Sequence, residues 1–173
     1  MIRKAKISDL DGIAEIYDKI HTLEEAGKIS TGWIRGVYPT RDTAKKALER
    51  GDMFVTVNGA KIIASAVINH FQDEIYAKCE SWSINAKEDE VMVIHTLTVD
   101  PGESSKGKGK AFVKFYEEYA KEKGCKTLRL DTNAKNARAR ALYKSLGYRE
   151  TGVFPCEFNG IPGVNLVLFE KNI

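Results

Sequence analysis

The sequence has 173 residues, of which 43% are hydrophobic and 29% charged, a composition typical of a soluble globular domain and not of a disordered, fibrous or membrane-spanning chain. The 27 basic and 24 acidic residues leave a net charge of +3, without the basic excess typical of nucleic-acid-binding proteins. We therefore expect one domain over residues 1–173, no nucleic-acid or membrane partner and, because the N-terminus lacks the apolar stretch of a secretion signal, a cytoplasmic location.

The cysteine and histidine residues give no sign of a disulfide framework or a metal centre. Cys79, Cys125 and Cys156 are scattered and odd in number, and no two of them form a CxxC pair. The three histidines are far apart in the sequence. We expect neither a zinc site nor another bound metal.

The N-terminal half predicts a strand, two helices and a hairpin. The hydrophobic pattern places the strand at residues 2–7, a helix from Ser8 onward, and a second helix between Thr40 and Gly51. Residues 53–57 and 61–69 predict a β-hairpin, because Asn58-Gly59 favours a tight two-residue turn. Residues 71–89 are polar and predict a loop with a short helix.

The C-terminal half alternates strands with helices. Residues 91–99 are nearly all β-branched or apolar and predict a central strand buried on both faces. A helix through residues 112–119, a strand at 127–130 and a helix at 139–146 follow, and strands at 148–154 and 164–170 end the chain. This order predicts an α/β sheet with some parallel pairing, to which the hairpin adds antiparallel strands.

The segment between the central strand and its following helix predicts an anion site. It reads Ser104-Ser105-Lys106-Gly107-Lys108-Gly109-Lys110-Ala111, and we call it the glycine–lysine loop. The first turn of a helix presents unpaired N–H groups and a partial positive charge, and glycines let a ligand approach the backbone. Together with three lysines these features favour phosphate binding, although a solvated lysine-rich turn would have the same sequence.

A nucleoside-triphosphate P-loop is one alternative. Gly102, Gly107 and Lys108 match its G-x-x-x-x-G-K-[ST] pattern, and Asp131 could serve as the strand-end aspartate near magnesium. Gly109, however, stands where the pattern needs a hydroxyl group for the metal.

Two blocks of sequence resemble the GCN5-related N-acetyltransferase (GNAT) superfamily. The first runs from Ile94 through the central strand into Gly107-x-Gly109-x-Ala111, and resembles the acetyl-CoA-binding motif of that family. The second, residues 130–148, resembles its N-x-x-A-x-x-L-Y-x-x-x-G-[FY] motif. The resemblance implies a single-domain α/β (α+β) fold, with a mixed and mostly antiparallel sheet, a parallel pair splayed at the acetyl-CoA site, and about four flanking helices.

The resemblance also implies how acetyl-CoA, the expected co-substrate, would be held. The amide of Leu97 would polarise the thioester carbonyl, and Thr98 and Val99 would pair with the pantetheine arm. The amides of the glycine–lysine loop would bind the pyrophosphate, and Asn136 would contact the arm. Ser104 stands where the family usually has Gln or Arg, which leaves the detailed geometry of the loop open.

The catalytic assignments concern one acid and one base. The resemblance implies that Tyr143 is the general acid, since a phenol is protonated at neutral pH and can protonate a departing thiolate. A core aromatic residue would fit the same helical position. His95 is our choice of general base and Glu80 a further option, although a buried histidine can also be purely structural.

The acceptor remains open at this stage. Trp33 and Tyr38, together with Phe154 and Phe158, could line its pocket or simply pack. We expect transfer to a primary amine of a small molecule, peptide or protein, and from the resemblance a possible homodimer. A non-catalytic acyl-CoA-binding module is the second alternative.

Overall fold

A computed structural model describes residues 1–104 and 106–173. Seven strands and four α-helices are connected by loops that include short 3₁₀ turns at Ile7–Asp9, Glu74–Lys78, Glu88–Glu90 and Pro101–Glu103. The strands are β1 (Ile2–Lys4), β2 (Met53–Asn58), β3 (Lys61–Asn69), β4 (Val91–Val99), β5 (Thr127–Asn133), β6 (Arg149–Phe158) and β7 (Ile161–Asn172). The helices are α1 (Leu10–Glu25), α2 (Arg41–Arg50), α3 (Lys108–Glu122) and α4 (Ala137–Ser145).

All seven strands form one sheet in the order β1-β2-β3-β4-β5-β7-β6. The pair β4–β5 is parallel, and each of the other neighbouring pairs is antiparallel. The predicted mixed sheet with a parallel pair is therefore confirmed. None of the helices in the described ranges is long and apolar enough to span a bilayer.

The first elements differ slightly from the predicted ones. Strand β1 ends at Lys4, and not at residue 7, because Asp9 draws the chain into a turn. Its carboxylate accepts a hydrogen bond from the Lys6 amide at 2.7 Å and pairs with Arg3 at 2.6 Å. Helix α1 consequently begins at Leu10, two residues later than the Ser8 start that the sequence predicts.

Helix α2 and the hairpin follow the sequence closely. The Thr40 hydroxyl accepts a hydrogen bond from the Thr43 amide, and Gly51 ends the helix with a positive φ of 77°, as expected for a glycine C-cap. In the hairpin, Asn58 pairs with Lys61, so the turn residues are Gly59 and Ala60, one position later than predicted. A register shift at Thr56/Val57 accounts for this difference.

The last two strands are longer than predicted. They form a hairpin that turns at Asn159-Gly160, where both residues have positive φ. The sequence prediction ended the sixth strand at residue 154, whereas β6 continues through Pro155 to Phe158. Strand β6 is the edge of the sheet, however, and an edge strand can tolerate a residue without a backbone N–H.

Helices cover both faces of the sheet. Because alternate residues of a strand point to opposite faces, Val55 packs with α1 and α2 whereas Phe54 packs with α3. Residues of the β3–β4 segment, which we define as residues 70–90, cover the first of these faces over β4, β5 and β7. The inner strands are thereby covered on both faces, whereas the edge strands β1 and β6 are only partly buried.

Candidate active site

The site begins at a gap between β4 and β5. The two strands pair only through Val91–Val93 and residues 127–129, although β4 continues to Val99 and β5 to Asn133. A register shift against β3 and a positive φ of 51° at Thr96 mark the bulge where β4 turns away. Burial follows this change: the predicted burial on both faces holds for Val91–Ile94, whereas residues 95–97 are only partly buried.

A cavity of about 970 Å³ occupies this gap and extends to both faces of the sheet. It collects most of the residues that the sequence indicates, namely Trp33, Tyr38, His95, Leu97, Thr98, Val99, Ser104, Gly107, Lys108, Gly109, Lys110, Asn136, Tyr143 and Phe158. Four others, Glu80, Lys106, Ala111 and Phe154, are not in its lining. Ser105 lies outside the described residues.

The glycine–lysine loop opens onto the cavity at the start of α3. Gly107 is the N-cap with φ 72°, and the first intrahelical bond runs from the Ala111 amide to the Gly107 carbonyl at 2.9 Å. The amides of Lys108, Gly109 and Lys110 come before that bond and therefore face outward. A Cβ at Gly107 would meet no described atom within 4 Å, so the space there is open to a diphosphate.

Asp100 anchors the chain that leads into this loop. Its carboxylate is 2.8 Å from the Gly102 amide, 3.1 Å from Lys19 Nζ and 2.9 Å from Lys61 Nζ. Burial alone would raise the pKa of this carboxyl, but the hydrogen bonds from Lys61, the Gly102 amide and Lys19 lower it to about 2. The ion pairs connect the loop to α1 and to the β2–β3 hairpin.

Helix α4 supplies Asn136 and Tyr143. Asn136 is the N-cap, and its side-chain oxygen accepts a hydrogen bond from the Ala139 amide at 3.1 Å. Tyr143 is 6% exposed, and its ring packs against Tyr148 and Phe169. Its hydroxyl has no hydrogen bond to any residue that the structure describes. Burial, and to a lesser extent the charge of Asp131, raise the pKa of Tyr143, so the phenol stays protonated at neutral pH.

His95 lies on β4, next to the gap. Its Nε2 is 3.0 Å from Asn69 Oδ1, which can only accept, so Nε2 carries the proton and Nδ1 is left as an acceptor. Burial lowers the pKa of His95 to about 4, in spite of the opposing charge of Asp52. The imidazole is therefore neutral at physiological pH and is a weak base.

Asp131, which the sequence analysis considered only as a metal ligand, is a further titratable group in the lining of the cavity. It lies on β5 across the gap from His95, and accepts a hydrogen bond from the Tyr76 hydroxyl at 2.7 Å. Burial raises the pKa of Asp131 to about 7; Tyr76 opposes this effect and the charge of Asp73 adds to it. The alternation of the strand could have revealed this position. Leu128 and Leu130 point to the face covered by α3, so Asp131 must point to the opposite face.

The segment that brings Tyr76 to Asp131 is held by a buried network. Arg129 lies 4.0 Å above the Trp82 ring and donates to Gln72 at 2.7 Å. Glu170 accepts a hydrogen bond from the Ser83 amide at 2.8 Å. Gln72, Trp82 and Ser83 all belong to the β3–β4 segment, so two strands of the sheet fix it over the site.

The α1–α2 loop, residues 26–40, crosses the cavity and touches both diverging strands. The Tyr38 hydroxyl forms a hydrogen bond with Thr96 of β4, and Trp33 packs edge-on against the Tyr38 ring. At the other strand, Gly32 lies so close to Asn133 that a Cβ on Gly32 would be 2.2 Å from Asn133 Nδ2. The loop thus forms a wall of the cavity on the face opposite α3 and α4.

Among the described residues, no group of three or more His, Cys, Asp or Glu side chains could hold a metal ion. Asp131 is engaged with Tyr76 and not with the glycine–lysine loop. These contacts do not favour the P-loop alternative. The open amides and the gap in the sheet instead fit a long ligand with a diphosphate at one end.

Comparison with known proteins identifies the family. The model of the acetyltransferase (GNAT) family matches residues 13–148. The chain belongs to this family. A curated relative, the uncharacterized N-acetyltransferase MJ1207 of Methanocaldococcus jannaschii, is 28% identical over 154 residues, which are 88% of this chain and 62% of the relative. The chain thus spans less than two thirds of the length of that relative.

Solved structures of GNAT proteins share the fold. A GNAT-family acetyltransferase from Streptococcus agalactiae 2603 has a TM-score of 0.83 at 21% identity, covering 100% of this chain and 95% of its own. YncA of Salmonella typhimurium, solved with its cofactor acetyl-CoA, has a TM-score of 0.70 at 18% identity, covering 99% of this chain and 92% of its own. The predicted GNAT-like fold is confirmed.

Proposed function

We propose that this GNAT protein transfers the acetyl group of acetyl-CoA to a primary amine of a small molecule or peptide. The observation that carries the proposal is the gap between β4 and β5, which joins the open amides of the glycine–lysine loop to a titratable carboxyl group, Asp131, through one continuous cavity. A long thioester substrate and an amine acceptor could therefore meet in the gap from opposite faces of the sheet.

The coenzyme would be bound mainly by backbone groups. The outward-facing amides at the start of α3 would hold the diphosphate, and the unpaired side of β4 after Val93 would offer strand-like hydrogen bonds to the pantetheine arm. The amide of Leu97 would donate to the thioester carbonyl, where negative charge develops during attack. The bound thioester supplies the acetyl group.

Two side chains, Asp131 on strand β5 and Tyr143 on helix α4, would move the protons. An alkylammonium acceptor must lose one proton before attack, and Asp131, with its pKa raised to about 7, is ionised in half of the molecules at that pH and can accept it. Tyr143 would give its proton to the departing thiolate and recover one from the attacking nitrogen. The products are an amide, a thiol and one proton released to solvent.

His95 is less suited to the role of base than the sequence indicated, because a pKa of about 4 makes it a poor proton acceptor. Its hydrogen bond to Asn69 and its position on β4 favour a role in shaping the acceptor part of the cavity. Glu80 is exposed and outside the cavity lining, so it has no part in the proposed chemistry.

The first test compares ligands and then turnover. Calorimetry should detect binding of acetyl-CoA, and no binding of ATP with magnesium at similar concentrations. Thiol release measured with a panel of primary amines should then rise above the rate of acetyl-CoA hydrolysis for at least one acceptor. Binding without transfer to any amine would favour the non-catalytic module, and binding of ATP instead of acetyl-CoA would contradict the proposal.

Tyr143→Phe tests the general acid. Removal of the hydroxyl should lower kcat about 100-fold, since general acid catalysis is typically worth that factor or more, and should leave the affinity for acetyl-CoA unchanged. Tyr119→Phe is the matched control, because Tyr119 is partly buried on α3 and its hydroxyl has no hydrogen bond to a described residue. An unchanged kcat for Tyr143→Phe would rule out this role.

A further inference from the structure

Tyr116 is a buried tyrosine that the proposed chemistry does not use. It lies on α3, is 0% exposed, and points its hydroxyl at the sheet. The hydroxyl is 2.6 Å from the Met92 carbonyl oxygen of β4 and 3.1 Å from the Arg129 carbonyl oxygen of β5. The single hydroxyl hydrogen is therefore shared between a backbone acceptor on each of the two strands.

These two acceptors lie where the strands separate. Val93 pairs with Arg129 in the last paired position of β4 and β5, and Met92 is in the position before it. Beyond this point β4 is held only by β3 and β5 only by β7. The Tyr116 hydroxyl consequently sits at the closed end of the gap. A hydrocarbon side chain there would fill the core equally well but would leave both carbonyl groups without this donor.

The hydroxyl is a permanent donor. Burial raises the pKa of Tyr116 well above its usual value, so the phenol stays protonated at neutral pH. Helix α3 also links this contact to the coenzyme site. Its first residue, Lys108, belongs to the glycine–lysine loop, and Tyr116 is eight residues further along, about 12 Å at the rise of an α-helix.

We infer that Tyr116 is a positioning residue, which fixes the point where β4 and β5 separate and thereby the shape of the gap that receives the pantetheine arm. The inference rests on the proposed function. Because α3 carries both the loop that would bind the diphosphate and the tyrosine that holds the strands, the two parts of the coenzyme site keep a constant spacing. Tyr116 does not contact the reacting atoms.

Tyr116→Phe is the test, with two ligands as probes. One is acetyl-CoA, and the other is 3′-phospho-ADP, the nucleotide part of the coenzyme without its pantetheine arm. The Kd for acetyl-CoA should rise about tenfold, the effect of losing a buried hydrogen bond of this kind, whereas the Kd for 3′-phospho-ADP should not change. In turnover assays the KM for acetyl-CoA should rise by a similar factor, with kcat within about twofold.

The control variant is again Tyr119→Phe, which removes a hydroxyl from the same helix and should change neither Kd. An unchanged Kd for acetyl-CoA, or an equal loss for both ligands as expected from general loosening of the fold, would overturn the inference while leaving the proposed function standing. If wild-type protein bound neither ligand, the proposed function itself would fail, and this inference with it.

Discussion

Two titratable side chains face each other across the gap, and their surroundings shift them in opposite senses. Burial lowers the pKa of His95 to about 4, because burial disfavours its cationic form, and raises that of Asp131 to about 7, because burial disfavours its anionic form. The same loss of solvent thus weakens the imidazole as a base and strengthens the carboxylate. This difference is why we assign the base to Asp131.

Asp131→Asn tests that assignment through the pH profile. In the proposed mechanism the deprotonated form of Asp131 is the active one. The wild-type profile of kcat/KM should therefore change slope near pH 7, with the activity falling more steeply below that pH. The Asn variant should lose this change of slope and about 100-fold in kcat/KM. The measurement is the initial rate of thiol release between pH 5 and pH 9 with one amine acceptor, a range of about two units on each side of that value.

Asp73→Asn is the matched control for this profile. The charge of Asp73 raises the pKa of Asp131, so its removal should move the change of slope to lower pH without abolishing it. A wild-type profile that is unaltered in Asp131→Asn would exclude Asp131 as the base and return attention to His95.

Among the structural elements, the connection from β4 to α3 depends most on electrostatics. Asp100 is buried, whereas its partners Lys19 and Lys61 are 37% and 54% exposed in their side chains. If the carboxylate is neutralised, both lysines can return to water, and what is lost is their attraction to a buried anion. The connection should therefore loosen without a buried charge being left alone.

Asp100→Asn should lower the free energy of unfolding at pH 7 by about 2 kcal/mol, the value of a pKa lowered from 3.8 to about 2. The folded-state pKa is below the unfolded one, so this stabilisation is complete above about pH 4 and is lost as the pH falls toward 2. Urea unfolding at pH 7 and pH 3 should thus show a smaller difference between variant and wild type at the acid pH.

The control for Asp100→Asn is Asp11→Asn. Asp11 also forms an ion pair, with Arg41 at 2.7 Å, but its side chain is 87% exposed. Exposed pairs of this kind contribute little, so the variant should unfold close to wild type at both pH values. Equal losses from the two substitutions would contradict the account of Asp100.

For the molecule as a whole, the sequence predicts best those elements that are encoded by residues close together in the chain. Helix α2 between Thr40 and Gly51, the β2–β3 hairpin and the glycine–lysine loop before α3 are all encoded by short patterns of caps, turns and periodicity. The coenzyme half of the site lies on these elements, together with α4, and the family motifs cover them. Short patterns are therefore enough to propose that half of the site from the sequence alone.

The acceptor half of the proposed site depends on contacts between distant parts of the chain. The shifted pKa of Asp131 results from burial and from Tyr76, 55 positions away, which is in place because Arg129 and Glu170 hold the β3–β4 segment. The Tyr116 hydroxyl likewise reaches the Met92 and Arg129 carbonyl groups together only once β4 and β5 are paired. No short pattern records such relations, so the sequence indicated His95 and passed over Asp131.

The contact between Gly32 and Asn133 limits how the proposed acceptor pocket can be redesigned. Gly32 combines a φ of 76° with the absence of room for a side chain, so even alanine there would strain the backbone and displace Asn133. Libraries aimed at new acceptors would gain little from randomising this position. Phe71, which also lines the cavity but is 62% exposed, offers a permissive place to vary size and polarity.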